Sequence, residues 1–205
     1  MEVLVVLGII TTLVGILVPV VATVRFESKN VQCLSNLRDT YTAIDGWRSS
    51  HKGSLPMCEF IPVATANGPE GGLPNKLDGR IMKDSTTWFC PADYSDESID
   101  VGTSYTYLPG LIRYVPQIQI EVFQALASQP TLADSQRARL REEIEARSVT
   151  SFYNLDNQRL FPLMIDSLDN HPGTREPRNG VFMDGSTGEA TLDDAVPQAP
   201  GGGFE

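Results

Sequence analysis

The first strong pattern along the chain is an unbroken apolar one. Residues 3–24 read VLVVLGIITTLVGILVPVVATV, 22 positions without a charge, a side-chain amide or a histidine. As an α-helix this run is about 33 Å long at roughly 1.5 Å per residue, which matches a hydrocarbon core of roughly 30 Å. A cleaved secretory signal is the rival reading, since Val20 and Ala22 offer a small-residue cleavage pattern. Against it stand the absence of a basic stretch around Met1-Glu2 and an apolar run longer than the usual signal core of about 7 to 15 residues. A wholly buried helix fits poorly, because an element apolar on every side needs a larger protein around it.

After Arg25 the pattern changes period but shows no break. Leu34, Leu37, Tyr41, Ile44 and Trp47 recur three or four residues apart, with Asn30, Ser35, Arg38 and Asp39 off the stripe. Gly53 and Pro56 then supply a stop. One helix is expected from Met1 to about Ser50, with Pro19 as its weak point, about 75 Å long at roughly 1.5 Å per residue. It divides into a transmembrane segment, residues 1–25, and an amphipathic continuation, residues 26–56.

Beyond Pro56 the pattern turns to short runs among turn residues. Arg80–Met82 and Thr86–Phe89 are short apolar or β-prone runs, and Ser104–Leu108 alternates aromatics as a strand does. Helical periodicity returns over 117–127 and 134–147, where Arg139 and Glu143, and Arg141 and Glu145, stand four apart. Leu160–Ile165 and Gly180–Met183 read as strands, the second turning at Asp184-Gly185 and resuming at Glu189–Leu192. The expectation is α+β: a long N-terminal helix packed on a small antiparallel sheet, with a head domain over 57–194, a helical insertion at about 117–147 and a disordered tail over 195–205.

Composition narrows the function classes. With 26 acidic against 16 basic residues in 205, a formal net charge of -10 argues against a protein that grips nucleic acid through its phosphates. The 17 glycines and 14 prolines fit a loop-rich head. The chain lacks G-x-S-x-G, H-E-x-x-H, a P-loop and G-x-G-x-x-G, so no enzyme is expected. A triad drawn from His171, Asp184 and Ser186, or a nucleophilic cysteine served by His51 or His171, has no spacing to support it. Zinc is poorly supported by the sequence, with three cysteines, no C-x-x-C and two histidines. Acidic residues crowd two places, Asp93, Asp96, Glu97 and Asp100 in one, and Asp166, Asp169 and Asp184 near His171 in the other. Such hard oxygens suit calcium, although no EF-hand spacing is present and solvated loops are the commoner use of such residues. Three cysteines allow one disulfide with one thiol left over.

The segments Glu2–Ile10, Gly15-Ile16-Leu17-Val18-Pro19 and Cys33-Leu34-Ser35-Asn36-Leu37-Arg38 resemble the N-terminal helix of type IV pilins and type II secretion pseudopilins. The resemblance covers about the first 50 residues and departs from the family at its start, where Met1 stands in place of a leader and an apolar first residue. It implies cleavage of a leader by a prepilin peptidase, N-methylation, an inner-membrane anchor with the C-terminal domain in the periplasm or on the cell surface, and assembly with other pilin-like subunits through the helix. Arg25 and Lys29 would weakly favour the opposite orientation by the positive-inside rule. Glu2 matches the family's assembly glutamate. A carboxylate among packed apolar helices is costly unless it meets a positive partner, so a register-setting ion pair suits it. A second resemblance, carried by Trp88–Asp93, Ser104-Tyr105, His171 and Gly180–Gly185, is to pseudopilin-like proteins of planctomycetes. These have a C-terminal motif of His, nine residues, then Asp-Gly; here His171 precedes Asp184 and Gly185 by a longer spacer of twelve residues. The two resemblances favour Cys33 with Cys90 as the bridge, and the pseudopilin one raises calcium at Asp166, Asp169 and Asp184. A membrane-anchored or secreted binding module that never polymerises is the competing class.

Overall fold

The structure is a computed structural model and describes residues 2–61, 71–154, 161–171 and 177–191. The tail expected over 195–205 lies outside the described residues. Helix α1 runs unbroken over Glu2–Ser50, 49 residues that include Pro19. Proline removes one backbone donor, so the Gly15 carbonyl loses its usual i+4 partner. Three threonines in the apolar half turn their hydroxyls back onto the helix: Thr11 donates to the Leu7 carbonyl, Thr12 to Gly8 at 2.8 Å and Thr23 to Pro19 at 3.1 Å. The three hydroxyls thereby find acceptors within the segment itself. The helix ends where Lys52 and Gly53 both take positive φ, 57° and 81°, and the Gly53 amide donates back to the Arg48 carbonyl at 2.8 Å.

The two halves of α1 live in different surroundings. None of its most apolar window is buried in protein, and Leu13 and Leu17 are more than half exposed. By length and composition this half can cross a membrane. In the second half Cys33, Leu37, Thr40 and Ile44 are fully buried, with Tyr41 and Trp47 partly so. The buried stripe thus has the expected helical period, but it begins on Cys33, with Leu34 only partly buried beside it.

That stripe packs on a four-stranded antiparallel sheet in the order β1-β2-β3-β4: β1 Tyr105–Tyr107, β2 Pro162–Asp166, β3 Asn179–Phe182 and β4 Thr187–Glu189. Between β1 and β2 the chain forms α4, Leu108–Ile112, then α5, Pro116–Ala127, and α6, Asp134–Asn154. The last two pack on each other through Val122, Leu126 and Ile144. The fold is therefore α+β, a long helix on a small antiparallel sheet with further helices. Short helices α2, Gly72–Lys76, and α3, Asp96–Val101, complete the head.

Two expected strands are absent. Thr86–Trp88 forms a 3-10 turn, because Ser85 Oγ accepts the Thr87 amide and Trp88 is driven inward, its indole donating to the Met82 carbonyl at 2.9 Å. Arg80 ends a turn, Ile81 lies in a bend and Met82 in irregular chain. Central strand β2 is buried along all five residues. Leu163 and Met164 join the main core with Leu37, Trp88 and Tyr153, while Ile165 packs with Leu108 and Ala190.

Candidate functional site

The end of β2 carries a carboxylate into the core. Side chains alternate across a strand, so Asp166 shares a face with Met164, and its register partner is Tyr105 on β1. Asp166 is fully buried and faces α1. Cys33 Sγ donates to Asp166 Oδ1 at 3.4 Å and lies 3.7 Å from the Tyr105 hydroxyl. The chain then leaves the sheet and returns His171 beneath the same carboxylate, with Nε2 3.3 Å from Asp166 Oδ2. From the other side the segment after the 3-10 turn delivers Cys90, with Sγ 3.4 Å from His171 Nε2.

The four ligand-type atoms of Cys33, Cys90, Asp166 and His171 all lie within 4.8 Å of one another, and all four residues are buried. Among the described residues this is the group of such side chains that gathers. The walls are tied in turn. The Asn179 amide donates to Asp166 Oδ2 at 2.8 Å, and the Asn179 side chain donates to Asn30 Oδ1 on α1 at 2.7 Å. Phe26 sets its ring edge-on to His171 at 6.4 Å.

A buried carboxylate costs several kcal/mol unless it is paired and hydrogen-bonded, and Asp166 is both. Burial works against a charged His171, yet the hydrogen bond and charge of Asp166, with Cys90 adding, raise its pKa to about 9. The two cysteines move in opposite directions. A hydrogen bond shared with Cys90, together with burial and the Asp166 charge, raises Cys33, so it keeps its proton. The same bond, with help from His171, lowers Cys90 to about 6 against the effect of burial.

All three cysteines are free thiols. Cys33 and Cys90 are brought together as the resemblances suggest, but without a disulfide between them, and Cys58 is buried elsewhere in the core. The three carboxylates considered for calcium do not form one group. Asp169 takes the Arg178 guanidinium at 2.6 Å on the surface, and Asp184 accepts the Ser186 amide at 2.9 Å within its own turn. Asp166 alone of the three is in the buried cluster.

The triad of His171, Asp184 and Ser186 is not assembled either, since Ser186 donates to Asp184 while His171 Nε2 faces Cys90 and Asp166. Nor does Cys90 with His171 form a nucleophile relay. Such a relay places thiol and carboxylate on opposite ring nitrogens, whereas here both lie against Nε2 inside a sealed core. His51 stacks on Trp47 at 3.7 Å on the exposed end of α1. Gly185 closes the hairpin between β3 and β4 at φ 81°. Glu2 opens α1, and its side chain lies outside the described residues.

No family model, curated protein or solved structure matches the chain. The reading of its function therefore stands on its own residues. What sequence reasoning missed was the joint cluster, because its members come from four separate segments: Cys33 and Asp166 are 133 positions apart, Cys90 and His171 81. The sequence suggests Cys33 with Cys90 and Asp166 near His171 as two separate groups, and no spacing links one to the other.

Proposed function

We propose that the chain is a pilin-like, pseudopilin-type subunit, held in the inner membrane by the apolar half of α1, with its head on the periplasmic side. It assembles through that helix with other such subunits into a filament of a type II secretion or type IV pilus-like system. One observation carries the reading: a single unbroken helix is bare and apolar for its first half and forms a wall of the head's core for its second. A rod of this kind offers subunits both a lipid anchor while they wait and a continuous apolar packing surface once they assemble. The resemblance of Glu2–Pro19 to the prepilin helix supports the same reading, and Glu2 is its register-setting residue. A prepilin peptidase and the lipid bilayer are the other partners it requires.

A membrane-tethered module that never polymerises shares the anchor and differs in outcome. The discriminating experiment is intact-mass and N-terminal analysis of the protein extracted from its native host, combined with a Glu2→Ala variant. A processed, methylated N-terminus ahead of Glu2, and a variant that inserts in the membrane but is missing from sheared filaments, are expected. An unprocessed terminus together with normal behaviour of the variant would overturn filament assembly and leave the tethered module.

A further inference from the structure

We propose that Cys33, Cys90, Asp166 and His171 form a structural site for a divalent d-block cation, zinc by its donor set, which fastens the stalk helix to the head. A tetrahedral zinc with bonds of about 2.0 to 2.3 Å has ligand-to-ligand edges of about 3.3 to 3.8 Å. Three edges of the cluster already have that length: Cys33 Sγ to Asp166 Oδ2 at 3.8 Å, Cys90 Sγ to His171 Nε2 at 3.4 Å and His171 Nε2 to Asp166 Oδ2 at 3.3 Å. The remaining edges lie within 4.8 Å, so side-chain adjustments of about an ångström or less close the tetrahedron.

The donor chemistry selects the ion. Two thiolates and an imidazole are too soft for calcium or magnesium, which take oxygen ligands in larger number, and they suit zinc. Four protein ligands in a sealed pocket leave no open position for water or substrate, which marks a structural rather than a catalytic centre. The outer contacts are also those of a metal site: Asp166 is held by the Asn179 amide at 2.8 Å, and the Tyr105 hydroxyl lies 3.7 Å from Cys33 Sγ.

Position gives the site its use. Cys33 lies eight residues beyond Arg25, about 12 Å along the helix at roughly 1.5 Å per residue. The cation would join α1, the segment carrying Cys90 and both sides of the turn after β2 at the first buried layer above the apolar segment. Loading would thus set the angle at which the head stands on its rod. This holds whether or not the chain polymerises.

The test is titration of the full-length protein, in detergent micelles with a non-chelating phosphine reductant, by Co2+ and then Zn2+. One equivalent of Co2+ is expected to give the intense visible bands of a tetrahedral site and a near-ultraviolet thiolate charge-transfer band, both bleached by Zn2+. In Cys58→Ser the sole thiols are Cys33 and Cys90, and the charge-transfer intensity should remain that of two thiolates. Cys33→Ser or Cys90→Ser should lower affinity more than the roughly 10- to 100-fold typical of losing an outer-shell partner. If either variant fails to fold, the Cys58→Ser spectrum still decides. No tetrahedral spectrum in the wild-type chain, a Cys58→Ser spectrum with fewer than two thiolates, or native protein holding a Cys33–Cys90 disulfide and no metal would each overturn the site.

Discussion

The ring of Tyr41 lies across Gly185. A Cβ built on Gly185 would stand 2.7 Å from Tyr41 Cε1, and the Tyr41 hydroxyl donates to the Met183 carbonyl at 3.0 Å. The turn between β3 and β4 is thereby pressed onto the second half of α1. Two demands fall on Gly185 at once, a φ of 81° and room for an aromatic face. Left-handed backbone costs an L-residue roughly 1–2 kcal/mol, and overpacking adds a similar amount. Gly185→Ala should therefore destabilise the head by about 2–4 kcal/mol in denaturant titrations. Combining it with Tyr41→Ala should relieve the steric share alone, so a double-mutant cycle yields a non-zero coupling; strictly additive effects would disprove the contact.

Gly110 in α4 poses a stricter packing problem. Its added Cβ would meet the Cys58 carbonyl oxygen and the Phe60 nitrogen, both at 2.7 Å, and these are backbone atoms that cannot rotate away. Gly110→Ala should cost about 1–3 kcal/mol or more, although alanine is the better helix former. Unchanged or increased thermal stability would show that α4 stands further from the Cys58–Phe60 segment.

The division of α1 predicts opposite responses to the same substitution. Leu37 and Ile44 are fully buried, so Leu37→Ala or Ile44→Ala should destabilise the head by about 2–5 kcal/mol. Leu13 and Leu17 touch no head residue's core, and Leu13→Ala with Leu17→Ala should leave the head's unfolding midpoint in place while weakening retention in membranes. Parallel measurement of chemical unfolding and carbonate extraction separates the two halves.

Much of this division was readable in advance, because it depends on period. An apolar run followed by apolar positions every three or four residues identifies one helix with two environments, and Asp184-Gly185 between β-prone runs identifies a hairpin. Thr86-Thr87 misled for a local reason: β-branched residues favour strands, but the Ser85 hydroxyl captures the Thr87 amide and closes a tight turn. An apolar stripe through Leu34 passes beside Cys33, because a free cysteine packs as a small apolar group although its sequence signal is chemical. The cluster itself was beyond any spacing rule. Its ligands come from a helix, a turn, a strand end and a loop, and only the register Tyr105 to Asp166 and the docking of α1 bring them together.

The three C-terminal aspartates supply a last contrast, measured with chelator and reductant present so that bound metal plays no part. Asp169 is largely exposed, and its pair with Arg178 at 2.6 Å is screened by water, so Asp169→Ala should cost no more than about 1 kcal/mol. Asp184 holds Ser186 within an exposed turn, and Asp184→Ala should cost about 0.5–1.5 kcal/mol for the lost hydrogen bonds. Asp166 differs in kind. It is fully buried and faces His171, Cys33 and the Asn179 backbone amide together, so Asp166→Asn puts a neutral amide where those buried groups share a carboxylate. Removing one partner of a buried pair costs about 3–5 kcal/mol, and Asp166→Asn should lower the unfolding free energy by that amount. An Asp166→Asn chain as stable as the Asp169→Ala chain would mean that the carboxylate does not hold His171 in the core.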